Sequence, residues 1–591
     1  MKIHIIILCV LVFIVKYSTA QDSPNSIRLD QEGFYPNAPK IAIVTGYSAN
    51  TDSDLNHHAL FYVIRESSRD TVYTGELSAL HFSKNSSLQT RTANFSGLST
   101  EGKYRISTNR VNSYSFNIEE KVHRPLAVAS LKAFYYQRAS MPLEASYAGK
   151  WSRAAGHFDT TVLIHPSAVS GKRKAGDVIA TAGGWYDAGD YNKYIVNSGI
   201  STETLLSAYE DYKNYFDTLR TIIPKLKKPI PDILNEILYN LRWMLSMQDP
   251  SDGGVYNKCT NASFDPMVMP DEARQPRYVV QKGTAATLDL AAVAAQAARI
   301  FSHYKKALPG FSDSCLRAAE KAWSWALEHP NMVYDQNAMN QLFFPKIVTG
   351  GYGDRKFSDE WFWSACELFI STGKTKYLDT VTSHINDHVG LPSWSETGML
   401  GYYCLLRNKS KHVIPFMDTI KSRLIRMADD YIQSAEQNAF LTVMGGRKND
   451  FAWGSNANAA NQGILLIQVY YMTGLQRYLN AALGNLEYIC GRNATGYCFV
   501  TGIGTFSPMH PHHRPSVADG INEPIPGLLA GGPNPGEQDH CHYNFHEPET
   551  AYVDSDCAYA SNEIAINWNA PLVYLANAIE AMQANFFMDS K

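Results

Sequence analysis

The chain has 591 residues, 45% of them hydrophobic and 12% aromatic, enough for more than one sizeable core and too many for a single ordinary domain. A formal net charge of −3, with no long run of Lys or Arg, argues against a surface that tracks phosphates, so nucleic acid is not an expected partner. The nine cysteines are scattered and form no C-x-x-C pair, which removes the strongest sequence signature of structural zinc.

In chain order, Met1-Lys2 precedes an apolar run from Ile3 to Val15 and the small-residue stretch Ser18-Thr19-Ala20. This is the pattern of a secretory signal peptide, residues 1–20, cleaved before Gln21. The run falls short of the roughly 20 apolar residues a bilayer core demands, so export across the inner membrane to a periplasm is expected, without membrane insertion. Residues 21–120 carry short alternating segments (40–44, 59–64, 102–106) separated by Asn, Asp, Ser and Gly clusters, which predicts a β-sandwich. From about Arg124 the periodicity becomes helical, with amphipathic stretches near 125–147, 198–216, 231–248, 285–304, 312–328, 358–373, 412–437, 455–473, 475–490 and 562–585. Paired helices joined by long Gly/Pro-rich loops predict a helical toroid over residues 121–591. Cys366 and Cys404 sit in apolar helical stretches and read as buried thiols.

Three loops, longer than a connection needs, hold the chemistry. The first, Gly183 to Tyr194, sets Asp187 and Asp190 around an Ala-Gly pair, with Trp185 and Tyr186 alongside as sugar platforms. Hydrolysing a glycosidic bond with inversion needs one carboxylate to take a proton from water and one carboxylic acid to protonate the leaving oxygen. Two close aspartates could hold that water; the plainer reading is an Asp-Gly turn. The second loop, Val500 to Ser516, offers His512 and Arg514 as donors to sugar hydroxyls. Zinc is its competing use, with His540, Cys541, His542 and His546 nearby in sequence. The third, Tyr552 to Ala570, contains Asp554, Glu563 and Trp568 and leads into an apolar helix, where an acid could merely complement the helix dipole.

The three segments in this order resemble glycoside hydrolase family 9, the inverting endoglucanases. Tyr552, Asp554, Tyr559, Glu563, Ala565, Asn569 and Ala570 match the family's C-terminal signature, Asp187-Ala188-Gly189-Asp190 its base motif, and His512-His513-Arg514 the end of its middle signature. The resemblance implies Glu563 as general acid, Asp190 as general base, Asp187 as its partner in holding water, and Asp554 as a support. It also implies His512, Arg514 and the neighbouring aromatics, Trp568 included, as substrate contacts. Phe506 and Cys498 depart from the middle signature, which bears on subsites and not on the carboxylates.

Ile27 to Phe34 is similar to the start of the Ig-like module of one subgroup, implying an Ig-like β-sandwich packed beside an all-α (α/α)6 barrel. No cofactor is required for the chemistry; a structural calcium, with Asp359 and Glu360 as ligands, is implied by family members that bind it near a Gly-Tyr-x-Asp-Glu segment. The expected partner is a soluble β-1,4-glucan (xyloglucan, mixed-linkage glucan or amorphous cellulose) acted on by a monomer. An exo-acting β-glucosidase or glucosaminidase of the same family, and a catalytically silent glycan-binding protein, are the alternatives, with a polysaccharide lyase behind them.

Overall fold

A computed structural model describes residues 25–47, 59–108, 111–409 and 414–587. The proposed signal peptide lies outside them. The first unit is a sandwich of two sheets, one of 4 strands and one of 5. Strand Ile41–Tyr47 pairs antiparallel with Leu88–Asn94 in the first sheet, and Leu60–Arg65 lies between Thr71–Glu76 and Gly102–Ser107 in the second. The alternating residues the sequence singles out, Phe61, Val63, Tyr104 and Ile106 among them, point into one shared core with Phe34, Phe95 and Phe116.

After the last strand, Phe116–Ile118, helix Arg124–Tyr136 opens the second unit, whose helices form two rings. The inner ring runs Ile195–Asp211, Thr284–Phe301, Ser358–Thr372, Gly398–Arg407, Ser455–Thr473 and Ile566–Ala581. The first four pack each on the next, the fifth on the sixth and the sixth on the first, while Met417–Glu436 links the fourth to the fifth. Each inner helix is backed by an outer one, as Thr284–Phe301 is by Phe311–Glu328.

Composition explains the sorting. Thr284–Phe301 is Ala-rich and buried on all sides, whereas Met417–Glu436 buries only Ile420, Leu424, Ala428 and Tyr431 along one stripe. Periodicity finds a one-sided helix easily and a helix apolar all round poorly. That is why Gly398–Arg407 (GMLGYYCLLR) shows in the sequence only as the apolar helical stretch around Cys404, without bounds; the outer helix Thr375–His384, which buries only Tyr377 and Val381, is missed because it is short. The stretch assigned to 125–147 stops at Tyr136, and 412–437 begins only at Met417. A further sheet of 5 short strands, Val162–Ile164, Val178–Ile179, Lys193–Tyr194, Lys258–Asn261 and Arg277–Val279, is invisible in the sequence because its strands are two to four residues long. It carries the first of the three long loops.

Candidate active site

The first loop is fixed from behind. Lys193 Nζ and Arg277 Nε reach the buried Asp159 carboxylate at 2.7 and 3.0 Å, and Arg277 also donates to Tyr191 O at 2.9 Å. The two cations hold Asp159 ionised, its carboxyl lowered to about 2 despite burial. On this base the chain turns through Asp187 to Asp190. Gly189 is required there because a Cβ would lie 2.1 Å from His512 O and 2.9 Å from the His512 ring. Its N–H donates to Glu563 Oε1 at 3.3 Å, and its carbonyl accepts from the Arg514 backbone N–H and from Arg514 Nη1. One glycine therefore ties the three sequence segments into one site.

The two aspartates differ. Asp190 receives Asn192 Nδ2 and Tyr194 Oη on Oδ2. Asp187 lies deeper, with Asn197 Nδ2 on both oxygens and Tyr352 Oη on Oδ2 at 3.0 Å. Burial, and then the neighbouring Asp190 charge, raise its carboxyl well above the usual range.

Glu563 is extended (φ −71°, ψ 157°) between the short turn Tyr559–Asn562 and helix Ile566–Ala581, whose cap is Ala565. It therefore lies outside the helix, not at its dipole. The Gly531 N–H on Glu563 O and the bridge between Glu563 and His512 hold that backbone. Burial, then Asp190 and Asp187, push the Glu563 carboxyl well above the usual range. A protonated acid beside an acceptor carboxylate is the division of labour that inversion requires.

The remaining candidates separate into cleft and scaffold. His512 is half-buried, its Nδ1 on Asp556 O at 2.6 Å, which leaves Nε2 for substrate. Arg514 is buried, spends Nε on Asp265 O and Nη1 on Gly189 O, and backs the exposed ring of Phe264 at 5.7 Å. Asp554 accepts from the Met509 and His510 N–H groups and from Asn562 Nδ2, so it fastens the second loop to the third.

Trp185 and Tyr186 are not platforms. Trp185 is fully buried on Phe134 with Nε1 on Glu236, and Tyr186 is 1% exposed with Oη on His157. The two adjacent rings are buried in separate clusters, Trp185 in the main helical core and Tyr186 with Ala139, Tyr191 and Ala273. Trp568 is half-buried and wedged against Gly454 and Gly531, where added methyl groups would meet its ring. The open aromatics are instead Phe264 and Trp453, 47% and 44% exposed, with Tyr559 beside both Trp453 and His512. Phe264 is a lone aromatic in a polar loop and Trp453 follows Phe451 by two positions, with nothing in the spacing to mark either.

The zinc reading of the histidine-rich loops fails on donor supply. Cys541 is disulfide-bonded to Cys557, His513 is buried between Ser516 and Gln137, and His546 pairs with Glu537. For calcium the donors do fit. Glu360 Oε1 and Oε2, Asp289 Oδ1 and Asp354 Oδ2 are buried without hydrogen-bond partners, beside Asp359. Hard oxygens left unsatisfied in one acidic pocket suit that ion. Their spacing is looser than in a closed site, no three of these acids meeting within 4.8 Å.

Residues 124–576 match the family model Glycosyl hydrolase family 9, and residues 22–113 match the Cellulase N-terminal ig-like domain. The chain is 46% identical over 571 residues to a xyloglucan-specific endo-beta-1,4-glucanase of Bacteroides ovatus, covering 96% of this chain and 95% of that protein. Against Endoglucanase D of Acetivibrio thermocellus it is 31% identical, covering 93% and 82% respectively. Among solved structures it resembles a Bacteroides ovatus GH9 protein with TM-score 0.89 at 45% identity, covering 94% of this chain and 99% of that one. A metagenome-derived glycoside hydrolase family 9 endoglucanase superposes with TM-score 0.86 at 30% identity, over 94% and 99%.

Proposed function

The chain belongs to glycoside hydrolase family 9 and is an inverting endoglucanase, and from that premise we propose that its polymer is xyloglucan, with Glu563 as general acid and Asp190 as general base. The observation that carries the pairing is the 3.3 Å bond from Gly189 N–H to Glu563 Oε1, which sets Glu563 against the turn that bears Asp190, while burial and the neighbouring aspartates support its role as the acid. Glu563, kept protonated by burial and by the two aspartates, gives its proton to the glycosidic oxygen as the bond to the anomeric carbon breaks. Asp190 takes a proton from a water that attacks the opposite face of the ring, and the product emerges with inverted configuration. Asp187 anchors the turn through Asn197 and Tyr352. His512 Nε2 reaches a sugar hydroxyl, while Phe264 and Trp453 receive sugar faces.

The choice of xyloglucan rests on the relative of that specificity at 46% identity and on exposed aromatics at the cleft margin, which can accept a branched chain. Asp359, Glu360, Asp354 and Asp289 would hold a calcium ion, which would brace the segment carrying Tyr352 behind Asp187. Residues 1–20 direct export to the periplasm, a reading supported by the Cys541–Cys557 disulfide, which belongs in an oxidising compartment. The enzyme acts as a monomer.

A time course on xyloglucan, mixed-linkage glucan and carboxymethyl cellulose, following reducing ends and product lengths together, tests the substrate. Mixed oligosaccharides from xyloglucan in preference to the others, absent with Glu563→Gln, are expected. Equal or faster cutting of the unbranched polymers would refute the choice of substrate, and one small sugar from the first minutes would refute internal cutting.

A further inference from the structure

Beside the aspartate turn lies a lysine for which the hydrolysis, as derived so far, has no use. Lys258 opens strand Lys258–Asn261 as the register partner of Tyr194, and it is fully buried. Its ammonium donates to Gln336 Oε1 at 2.6 Å, Thr349 Oγ1 at 3.0 Å and Gly350 O at 2.6 Å, and it lies over the Tyr194 and Tyr334 rings at 5.4 and 5.7 Å. Gln336 Nε2 donates to Thr349 O at 2.6 Å, which leaves Oε1 as the atom turned to the lysine. Among the described residues no carboxylate forms an ion pair with Lys258, although the charge of Asp190 reaches it.

From this ammonium two chains of hydrogen bonds run to the same oxygen of Asp190. In one, Gly350, held by its carbonyl, donates its N–H to Tyr194 Oη at 3.1 Å, and Tyr194 donates to Asp190 Oδ2 at 3.3 Å. In the other, Thr349 Oγ1 lies 2.6 Å from Thr260 Oγ1, Thr260 donates to Asn192 Oδ1 at 2.9 Å, and Asn192 Nδ2 donates to Asp190 Oδ2. The ammonium sets the direction. It has three donors and no acceptor, so Thr349 accepts from it and is left to donate to Thr260, which donates in turn to Asn192. The Asn261 N–H on Asn192 Oδ1 at 2.9 Å holds that amide the same way round. The segment gripped by Lys258 also carries Tyr352, whose hydroxyl donates to Asp187 Oδ2.

We propose that Lys258 is a positioning residue for the base, a buried cation that polarises both chains toward Asp190 so that Tyr194 and Asn192 present donors to its carboxylate. The proposal rests on the reading of Asp190 as general base. A scaffold alone would not call for a charge, because burying an ammonium with no carboxylate on it is costly and a neutral amide could satisfy the Gly350 carbonyl. Burial lowers the ammonium to about 7, with the Asp190 charge working the other way, so below that pH Lys258 is a cation. The other titratable groups facing Asp190 are Asp187, Tyr194, Asp265, Tyr352, His512 and Glu563, with Arg514 on the adjoining Gly189 carbonyl. In that largely acidic company a cation favours carboxylate over carboxylic acid, and its removal should move the acid side of the activity profile to higher pH.

The test measures kcat, KM and the pH profile of kcat/KM on the preferred glucan for the full chain carrying Lys258→Met or Thr260→Val, each beside a thermal melt. Lys258→Met should lower kcat about tenfold or more, leave KM within about twofold, and shift the acid limb upward by about one pH unit. Thr260→Val keeps the charge and the shape and cuts only the chain through Asn192, so kcat should fall about fivefold with the limb in place. An acid limb unmoved in Lys258→Met would overturn the proposal however far the melting temperature falls, since a scaffold alone gives that result. Parental kcat in Thr260→Val would overturn it as well, and that variant decides the matter where Lys258→Met does not fold. Asp190→Asn, assayed alongside, separates the two readings: parental activity there would sink the identity of the base itself.

Discussion

Gly189→Ala isolates geometry from chemistry, because it adds one methyl group and removes no acid. That carbon would sit 2.1 Å from His512 O and 2.9 Å from His512 Cδ2, against backbone that cannot rotate away. Relief requires the aspartate turn and the His512–Arg514 segment to part by about 1 Å, judged against ordinary carbon–oxygen contact. Overpacking of this kind costs roughly 1–3 kcal/mol, which in a chain this long moves the melting temperature by a few degrees at most. The same displacement stretches the Gly189–Glu563 bond, and a misplacement of ~1 Å at reacting groups costs about 10²-fold in rate. The measurement is kcat on the preferred glucan beside a thermal melt, with Gly46→Ala, where nothing lies within 4 Å of the added carbon, as the control. A Gly189→Ala enzyme with parental kcat would refute the claim that this contact sets the acid against the base.

Glu563→Gln should lower kcat by about 10²–10⁴-fold and abolish the alkaline limb of the pH profile, since the acid must be protonated to act. Its stability should move the other way. A carboxyl raised in the fold stabilises least once the pH passes the ordinary carboxylate range, because the unfolded chain then ionises and the folded one does not. Glu563→Gln should therefore melt higher than the parent at pH 7, with the gain vanishing at and below pH 4. Calcium at about 100-fold over its dissociation constant should stabilise the parent by ~2.7 kcal/mol in thermal melts, an effect lost in Glu360→Gln. Replacing Cys541 and Cys557 by Ser opens a loop with a sequence separation of 16 and should cost about 2–4 kcal/mol, readable as faster proteolysis of that loop.

The acids were legible because the chemistry of inversion demands them and their motifs are dense: Asp187, Asp190 and Glu563 do converge. The sandwich was legible for a related reason, since strands with one wet face keep a clean alternation. What escaped lacks a local signature. Asn197 and Tyr352, which hold Asp187, come from a helix buried along most of its length and from the glycine-rich segment read only for calcium, and nothing in either sequence pairs them with Asp187. Trp185 and Tyr186 misled because closeness in sequence to a carboxylate says nothing about which way a ring turns; burial against Phe134 and His157 decided that. Exposed Phe264 and Trp453 could be found only once folding had placed their loops.

The bond between Gly189 and Glu563 spans 374 positions, and Glu563 sits at the entrance of the helix that completes the inner ring by packing on Ile195–Asp211. A chain emerging from the ribosome therefore carries its base long before its acid. If Glu563 is the acid, no proteolytic fragment that stops short of Glu563 can cut a glucan, and no hydrolysis can begin before the inner ring has closed. Assembly of the ring itself serves as the enzyme's activation step.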